Sequence, residues 1–273
     1  MKMFPRNTGD FIARRPDVTN PSGLVLTIGG LVALLALALF LSIAEDVVMR
    51  DPLVVVDQWI AAAVYTWRNP LLTDAMLFFT NLGGARVVVI SLVLAGSWMA
   101  LRGHLLFAAG LLSSVVFGEA IVWGLKGVMH RPRPPVEHAL VAAAGASFPS
   151  GHSFVAFSLY GFIACFAMWH ERKNLVRVTL GCLFLLCAFL IGLSRIYLGV
   201  HWLSDVLAAY LLGTAWVATT LTIILSLEKT SLGNSLARSP YPRKGLWEMG
   251  LFLLWLMTIV FSYIYDFGSM LFA

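Results

Sequence analysis

Residues 178–227 read VTLGCLFLLCAFLIGLSRIYLGVHWLSDVLAAYLLGTAWVATTLTIILSL. Two apolar runs, 178–196 and 203–227, flank a short polar segment, and each has about the 20 residues that a membrane-spanning helix needs. Ionisable residues are costly in a bilayer and are usually functional there. Arg195 and His201, at the junction of the two runs, therefore predict a functional site at the end of a membrane helix hairpin.

The composition of the whole chain extends this interpretation. Of its 273 residues, 59% are hydrophobic and only 12% are charged, whereas soluble domains have about 25% charged residues. A soluble protein is therefore excluded, and residues 1–273 are predicted to form one integral membrane domain, an all-α polytopic helix bundle with about six to seven transmembrane helices. The predicted spans are 24–44, 86–102, 104–125, 152–170, 178–196, 203–227 and 247–265.

The distribution of lysine and arginine predicts the orientation of the bundle, because cytoplasmic loops are enriched in these residues. If the polar segment 1–23 is inside, twelve of the 19 lysine and arginine residues lie on its side of the membrane and seven on the other. The N-terminal segment is therefore predicted to be cytoplasmic, and the polar ends of spans 104–125, 152–170, 178–196 and 203–227 are predicted to be outside.

An amphipathic helix is predicted near residues 55–67, between the first two spans. The residues that recur there at helical spacing are Trp59, Ile60, Ala63, Val64 and Trp67. Such a helix lies on the membrane surface, and a buried packing helix is an equally good interpretation.

Polar residues form three clusters at the ends of the predicted spans. They are Lys126 with Arg133-Pro134, then Pro149-Ser150-Gly151-His152, and then Ser194-Arg195 with His201 and Asp205. Lysine and arginine bind phosphate oxygens, and a helix start with a serine cap offers backbone N–H groups to an anion. Each cluster alone has an ordinary explanation: snorkelling cations, a capped helix, or a His–Asp pair that caps a helix.

Together the clusters predict phosphoryl transfer. His201 and Asp205 are four residues apart, so on a helix they would share a face. The carboxylate would hold one imidazole nitrogen and fix the tautomer, which leaves the other nitrogen free to attack phosphorus. His152 would protonate the leaving oxygen, while the cations stabilise the equatorial oxygens of the transferring group.

The spacings Lys126-x6-Arg133-Pro134, Pro149-Ser150-Gly151-His152 and Ser194-Arg195-x5-His201-x3-Asp205 resemble the three signatures of the type 2 phosphatidic acid phosphatase (PAP2) superfamily. The resemblance covers a core at about 104–227. It implies a phosphohistidine on His201 that Asp205 orients, His152 as the general acid, and no metal or other cofactor. It also implies a phosphate-binding set made of Lys126, Arg133, Ser150, Gly151 and Arg195.

The resemblance further implies a lipid phosphatase of the bacterial inner membrane, similar to those that act on phosphatidylglycerophosphate and undecaprenyl diphosphate. Its active site would lie on the periplasmic side, its partners would be the bilayer and a lipid phosphate, and no nucleic acid is expected. Three questions stay open: the oligomeric state, the role of Glu119 within a predicted span, and the role of the 129–149 loop. Two alternatives also remain: a phosphotransferase that uses the same phosphohistidine, and a non-catalytic lipid-binding or transport protein.

Overall fold

The structure, a computed structural model, describes residues 21–49, 52–171 and 173–228, together with positions 257, 259 and 262. Within these residues all regular secondary structure is helical, which confirms the predicted all-α class. The helices are α1 (Pro21–Met49), α2 (Pro52–Thr66), α3 (Pro70–Leu82), α4 (Ala85–Leu101), α5 (Leu105–Met129), α6 (Gly151–His170), α7 (Asn174–Tyr197) and α8 (Leu203–Leu227).

Five of the described helices are long and apolar enough to cross a membrane: α1 over Leu26–Met49, and α5 to α8 over their full lengths. Helices α3 and α4 make a sixth span if they are taken together, with a bend of 49° between them. The span predicted at 86–102 is thus the second half of a bent pair that begins at Pro70. The span predicted at 247–265 lies outside the described residues, except for positions 257, 259 and 262.

The bend between α3 and α4 has a local cause and a packing cause. Helix α3 ends at Gly83, and a Cβ atom added there would lie 2.6 Å from Ile191 Cγ2 and 3.4 Å from His152 Cδ2. Only glycine fits this close approach. The Tyr160 hydroxyl donates to the Leu82 carbonyl at 2.8 Å and so fixes the end of α3 against α6.

Helix α6 is the centre of the bundle. In its span 61% of the residues are buried, compared with 11% in α1, and it packs against α5, α7 and α8. Residues Phe157–Gly161 form a π-helical turn within it, a feature that is frequent at functional sites. Around α6, helix α1 packs along α8, α3 along α7, and α4 along α5.

Helix α2 turns its apolar side outward. Trp59 is 68% exposed and Val55 is also exposed, whereas Asp57 is only 1% exposed and Ala61 is buried. A packing helix would bury its tryptophan, so the exposed apolar side favours the membrane-surface interpretation. The residue that anchors α2 to the bundle is a carboxylate, which the hydrophobic pattern did not predict.

Candidate active site

The three polar clusters meet at one end of the bundle. Lys126 is in the last turn of α5, Ser150 immediately precedes α6, and Arg195 and Asp205 lie in the last turn of α7 and the first turn of α8. The Ser150 amide donates to the Asp205 carbonyl at 3.1 Å, which joins the second cluster to the third. Arg133 Nη1 lies 3.2 Å from His201 Nε2, which joins the first cluster to the third.

His201 lies in the turn before α8, because the helix begins at Leu203. The prediction that His201 and Asp205 share a helical face is therefore wrong in its geometry. The turn passes through Gly199 at φ +74°, where an added Cβ would contact the His138 carbonyl oxygen and lie 2.8 Å from Arg68 Nη2. This left-handed turn, which favours glycine, still brings His201 Nδ1 to 3.3 Å from Asp205 Oδ2.

The two nitrogens of His201 have different neighbours. Asp205 accepts at Nδ1, so the proton belongs on that nitrogen and the lone pair on Nε2 faces the guanidinium of Arg133. Burial lowers the pKa of His201 to about 4, although the neighbouring Asp205 opposes this shift. At neutral pH the ring is therefore uncharged, and its Nε2 carries a lone pair that faces Arg133.

Lys126 and Arg133 are held by the loop that connects α5 to α6. Lys126 Nζ donates to the Ala146 carbonyl at 2.6 Å. Arg133 donates to the carbonyls of Ala144 at 2.9 Å, Gly145 at 3.0 Å and Val200 at 2.7 Å. Burial lowers the pKa of Arg133, with Asp205 opposing, but an arginine keeps its charge at neutral pH. Arg133 is thus held beside His201, and Lys126 is held on the same loop.

Arg195 reaches the site from the last turn of α7 and is buried. Its Nη1 donates to Thr80 Oγ1 at 2.5 Å, a contact that ties α7 to α3. Among the described residues, its Nε has no hydrogen-bond partner. A buried donor without a partner is costly, and a bound anion would satisfy it.

The start of α6 differs from its predicted form. Ser150 occupies the N-cap position, but its hydroxyl accepts from Ser153 Oγ at 2.8 Å and makes no capping hydrogen bond to the helix. The prediction that the Ser150 side chain caps α6 is therefore wrong. Gly151 and His152 form the first turn, where the free N–H groups and the positive end of the helix dipole favour an anion. His152 also interacts electrostatically with Lys126, Arg133, Arg195 and His201.

Four further polar residues form a connected group with Asp205, and no pattern in the sequence predicted that they belong to the site. They are Asp57, Arg131, Ser147 and Ser204, all buried. Arg131 Nη1 donates to Asp205 Oδ1 at 2.6 Å, Ser147 Oγ donates to Oδ2, and the Trp202 amide donates to Oδ2 at 2.9 Å. His201 is therefore only one of several hydrogen-bond partners of the Asp205 carboxylate.

Glu119 of α5 approaches the start of α6. Its Oε1 lies 3.5 Å from the position that a Cβ on Gly151 would occupy. Its Oε2 is buried and, within the described part of the chain, has no hydrogen-bond partner. The structure thus places this carboxyl next to the site, and its role stays an open question.

Comparisons with known proteins identify the family to which this chain is similar. The model of the PAP2 superfamily matches residues 103–228. Phosphatidylglycerophosphatase B of Bacillus subtilis is 33% identical over 185 residues, which are 65% of this chain and 88% of that protein. Dolichyldiphosphatase 1 of Rhinolophus ferrumequinum is 30% identical over 52% of this chain and 60% of its own length. The crystal structure of the B. subtilis phosphatidylglycerolphosphate phosphatase matches with a TM-score of 0.65 and 26% identity, over 72% of this chain and 98% of that one.

Proposed function

Because this chain belongs to the PAP2 superfamily and is a multi-pass membrane lipid phosphatase, we propose that it works through a phosphohistidine on His201 without a metal ion. The observation that supports this best is the pair of neighbours of the His201 ring. Asp205 holds Nδ1 at 3.3 Å, and Nε2 faces the phosphate-binding group Arg133 at 3.2 Å. An imidazole in this arrangement is oriented, neutral and directed at the place where an anion would bind.

In the first step the phosphate group of the lipid binds among Lys126, Arg133 and Arg195. Nε2 of His201 attacks phosphorus, the N–P bond forms, and the bond from phosphorus to the leaving oxygen breaks. His152 gives its proton to that oxygen as the alcohol or lipid phosphate leaves. The three cations and the start of α6 stabilise the negative charge on the equatorial oxygens.

In the second step water releases the enzyme. His152, now neutral, accepts a proton from the attacking water, the new P–O bond forms, and the N–P bond breaks. Inorganic phosphate leaves and His152 is protonated again. Asp205 stabilises the positive ring of His201 while the N–P bond exists, as an orienting carboxylate does in a catalytic triad.

The substrate is a phosphorylated lipid within the bilayer. The names of the relatives specify a phosphatidylglycerophosphatase and a dolichyldiphosphatase. We therefore propose a phosphatidylglycerophosphate or a polyprenyl diphosphate such as undecaprenyl diphosphate. The similarity to phosphatidylglycerophosphatase B of B. subtilis supports a location in a bacterial inner membrane. The count of lysine and arginine supports a cytoplasmic N-terminus and a periplasmic active site.

The decisive experiment is trapping of the intermediate. Purified protein mixed with ³²P-labelled phosphatidylglycerophosphate and quenched in alkali, in which phosphohistidine survives, should carry label on His201, and His201→Ala should carry none. Free phosphate measured in EDTA should equal that measured without it. Label on another residue, full turnover by folded His201→Ala, or loss of activity in EDTA that Mg²⁺ restores would each contradict the proposal. Label recovered on an added lipid alcohol would instead identify a phosphotransferase.

A further inference from the structure

Asp57 is a buried carboxylate on an otherwise apolar helix. It is 1% exposed, and it lies on the inner side of α2, opposite the side that carries the exposed Trp59. Its Oδ1 accepts from the Ser204 amide at 2.9 Å, and its Oδ2 accepts from Ser204 Oγ at 2.5 Å and from Arg131 Nη2 at 2.6 Å. A buried carboxylate loses its hydration, and these hydrogen bonds and the charge of Arg131 compensate for that loss.

Arg131 connects Asp57 to the candidate active site. While Nη2 donates to Asp57, Nη1 donates to Asp205 Oδ1 at 2.6 Å and to Ser204 Oγ at 2.7 Å. The guanidinium is planar and its donors have a fixed fork geometry. When Asp57 holds one side of the fork, the direction in which the other side approaches Asp205 is also fixed.

The orientation of the Asp205 carboxylate determines which of its oxygens accepts the hydrogen bond from His201. With Oδ1 held by Arg131, Oδ2 is turned toward His201 Nδ1 and the Trp202 amide. Ser204, which precedes Asp205 in the first turn of α8, is held by the same carboxylate of Asp57. Asp57 therefore acts on Asp205 by two routes, one through a side chain and one through the helix backbone.

The charges of this group give Asp57 a second effect. Two carboxylates share one guanidinium, so the group has a net charge of −1 when His201 is neutral. Without the charge of Asp57, Arg131 would pair with Asp205 alone and would compete for the electron density that Asp205 offers to His201. The imidazolium-like ring of the phosphohistidine would then be less well stabilised.

Resting on the proposed function, we propose that Asp57 is a positioning residue of the reaction, which fixes the carboxylate of Asp205 through Arg131 and so orients His201 for attack. Helix α2, whose apolar side faces outward, is thereby connected through Arg131 to the Asp205–His201 pair. Asp57 touches neither the phosphate-binding cations nor His201 in the structure, so its effect is on the nucleophile and not on substrate binding.

The test compares Asp57→Asn with a matched control, Asp74→Asn, which makes the same change at an exposed position of α3. The full-length proteins are assayed with a short-chain lipid phosphate in detergent. We expect kcat of Asp57→Asn to fall by about 10- to 100-fold, by analogy with the loss of a residue that orients a metal-binding histidine. KM should not change, and Asp74→Asn should behave like the wild type.

Two inhibitors separate a positioning role from a merely structural one. Inorganic phosphate binds through the cations, so its inhibition constant should not change in Asp57→Asn. Vanadate, bonded to the attacking nitrogen, resembles the five-coordinate transition state, so its inhibition constant should rise by the same factor by which kcat/KM falls. Equal weakening of both inhibitors, or an unchanged kcat, would overturn the proposal.

A double variant covers the case in which Asp57→Asn does not fold because Arg131 is left unpaired. In Asp57→Asn/Arg131→Gln no buried charge of the pair remains, and the positioning proposal expects a folded protein that is still slow. A fast double variant would show that Asp57 serves stability alone. Failure of the proposed function is distinguishable, because the wild type would then lack phosphohistidine or His201→Ala would keep its turnover.

Discussion

Replacement of Asp205 by asparagine is the most direct perturbation of the proposed nucleophile. The side chain keeps its shape but loses its charge and one acceptor. In the native structure Oδ1 accepts from Arg131 Nη1 at 2.6 Å, and Oδ2 accepts from the Trp202 amide at 2.9 Å and from His201 Nδ1 at 3.3 Å. The Arg131 guanidinium at Oδ1 and the Trp202 amide at Oδ2 can only donate, so the NH₂ group of an asparagine faces a donor on either side.

Both orientations of the asparagine are unfavourable for catalysis. If its NH₂ group faces Arg131, two donors oppose each other in a buried contact. If it faces His201, the ring must accept at Nδ1, which moves the proton to Nε2 and removes the nucleophilic lone pair. A charged hydrogen bond contributes about 1.5–3 kcal/mol. In either orientation one of the bonds to Arg131 and His201 is lost and the other loses the charge of its acceptor, so the two effects together cost at most about 3–6 kcal/mol.

At about 1.4 kcal/mol for each factor of ten in rate, this loss corresponds to a fall in kcat of about two to four orders of magnitude. The upper value agrees with the roughly 10⁴-fold effect of the same substitution in a Ser-His-Asp triad. The assay is phosphate release from a short-chain lipid phosphate, together with the thermal midpoint of each protein. Asp74→Asn is the control. A folded Asp205→Asn protein with less than about a tenfold loss would refute the orienting role.

Three further predictions test the acid, the ionisation of the nucleophile and the orientation. His152→Ala should prevent formation of the phosphohistidine, because the leaving oxygen would receive no proton; label accumulating at the normal rate would exclude this role. Since burial lowers the pKa of His201 to about 4 and the neutral ring is the attacking form, the loss of kcat/KM that protonation of His201 causes should be centred near pH 4; a loss from this protonation centred near 6.5 would contradict it. A cysteine at the exposed Val136, in a background without the native cysteines, should react with a membrane-impermeant thiol reagent in intact spheroplasts, whereas reaction only after lysis would reverse the orientation.

The sequence predicted those features that depend on local composition. Apart from residue 104, the apolar runs 104–125, 152–170, 178–196 and 203–227 lie within α5 to α8, because a span must be about 20 apolar residues long and its ends must be polar. The polar residues lie at the end of α5, the start of α6, the end of α7 and the start of α8. Because successive spans cross the membrane in opposite directions, the sequence predicted that these ends meet on one side. The bent pair α3–α4 was not predicted, since the bend depends on contacts of Gly83 with Ile191 and His152, which are distant in sequence.

The group around Asp205 was only partly predictable for a similar reason. The spacing of His201 and Asp205 indicated their pairing, but Arg131 looked like one more cation in a loop and Asp57 like an ordinary polar residue of a surface helix. Their contacts span 74 residues between Asp57 and Arg131 and 147 between Asp57 and Ser204. The periodicity of hydrophobic residues along a sequence does not indicate contacts between residues that are so far apart. A carboxylate in a predominantly apolar helix was the one available signal.

The position of Arg133 has a consequence for the order of events in the proposed reaction. Its Nη1 lies 3.2 Å from His201 Nε2, and reacting atoms in a near-attack arrangement are also about 3–3.5 Å apart. The guanidinium therefore occupies the place that phosphorus must reach. It can leave that place only if it finds another acceptor, and the phosphate oxygens are such acceptors. Since the carbonyls of Ala144, Gly145 and Val200 keep the group close by, binding of the phosphate would expose the nucleophile and position the clamp in the same movement.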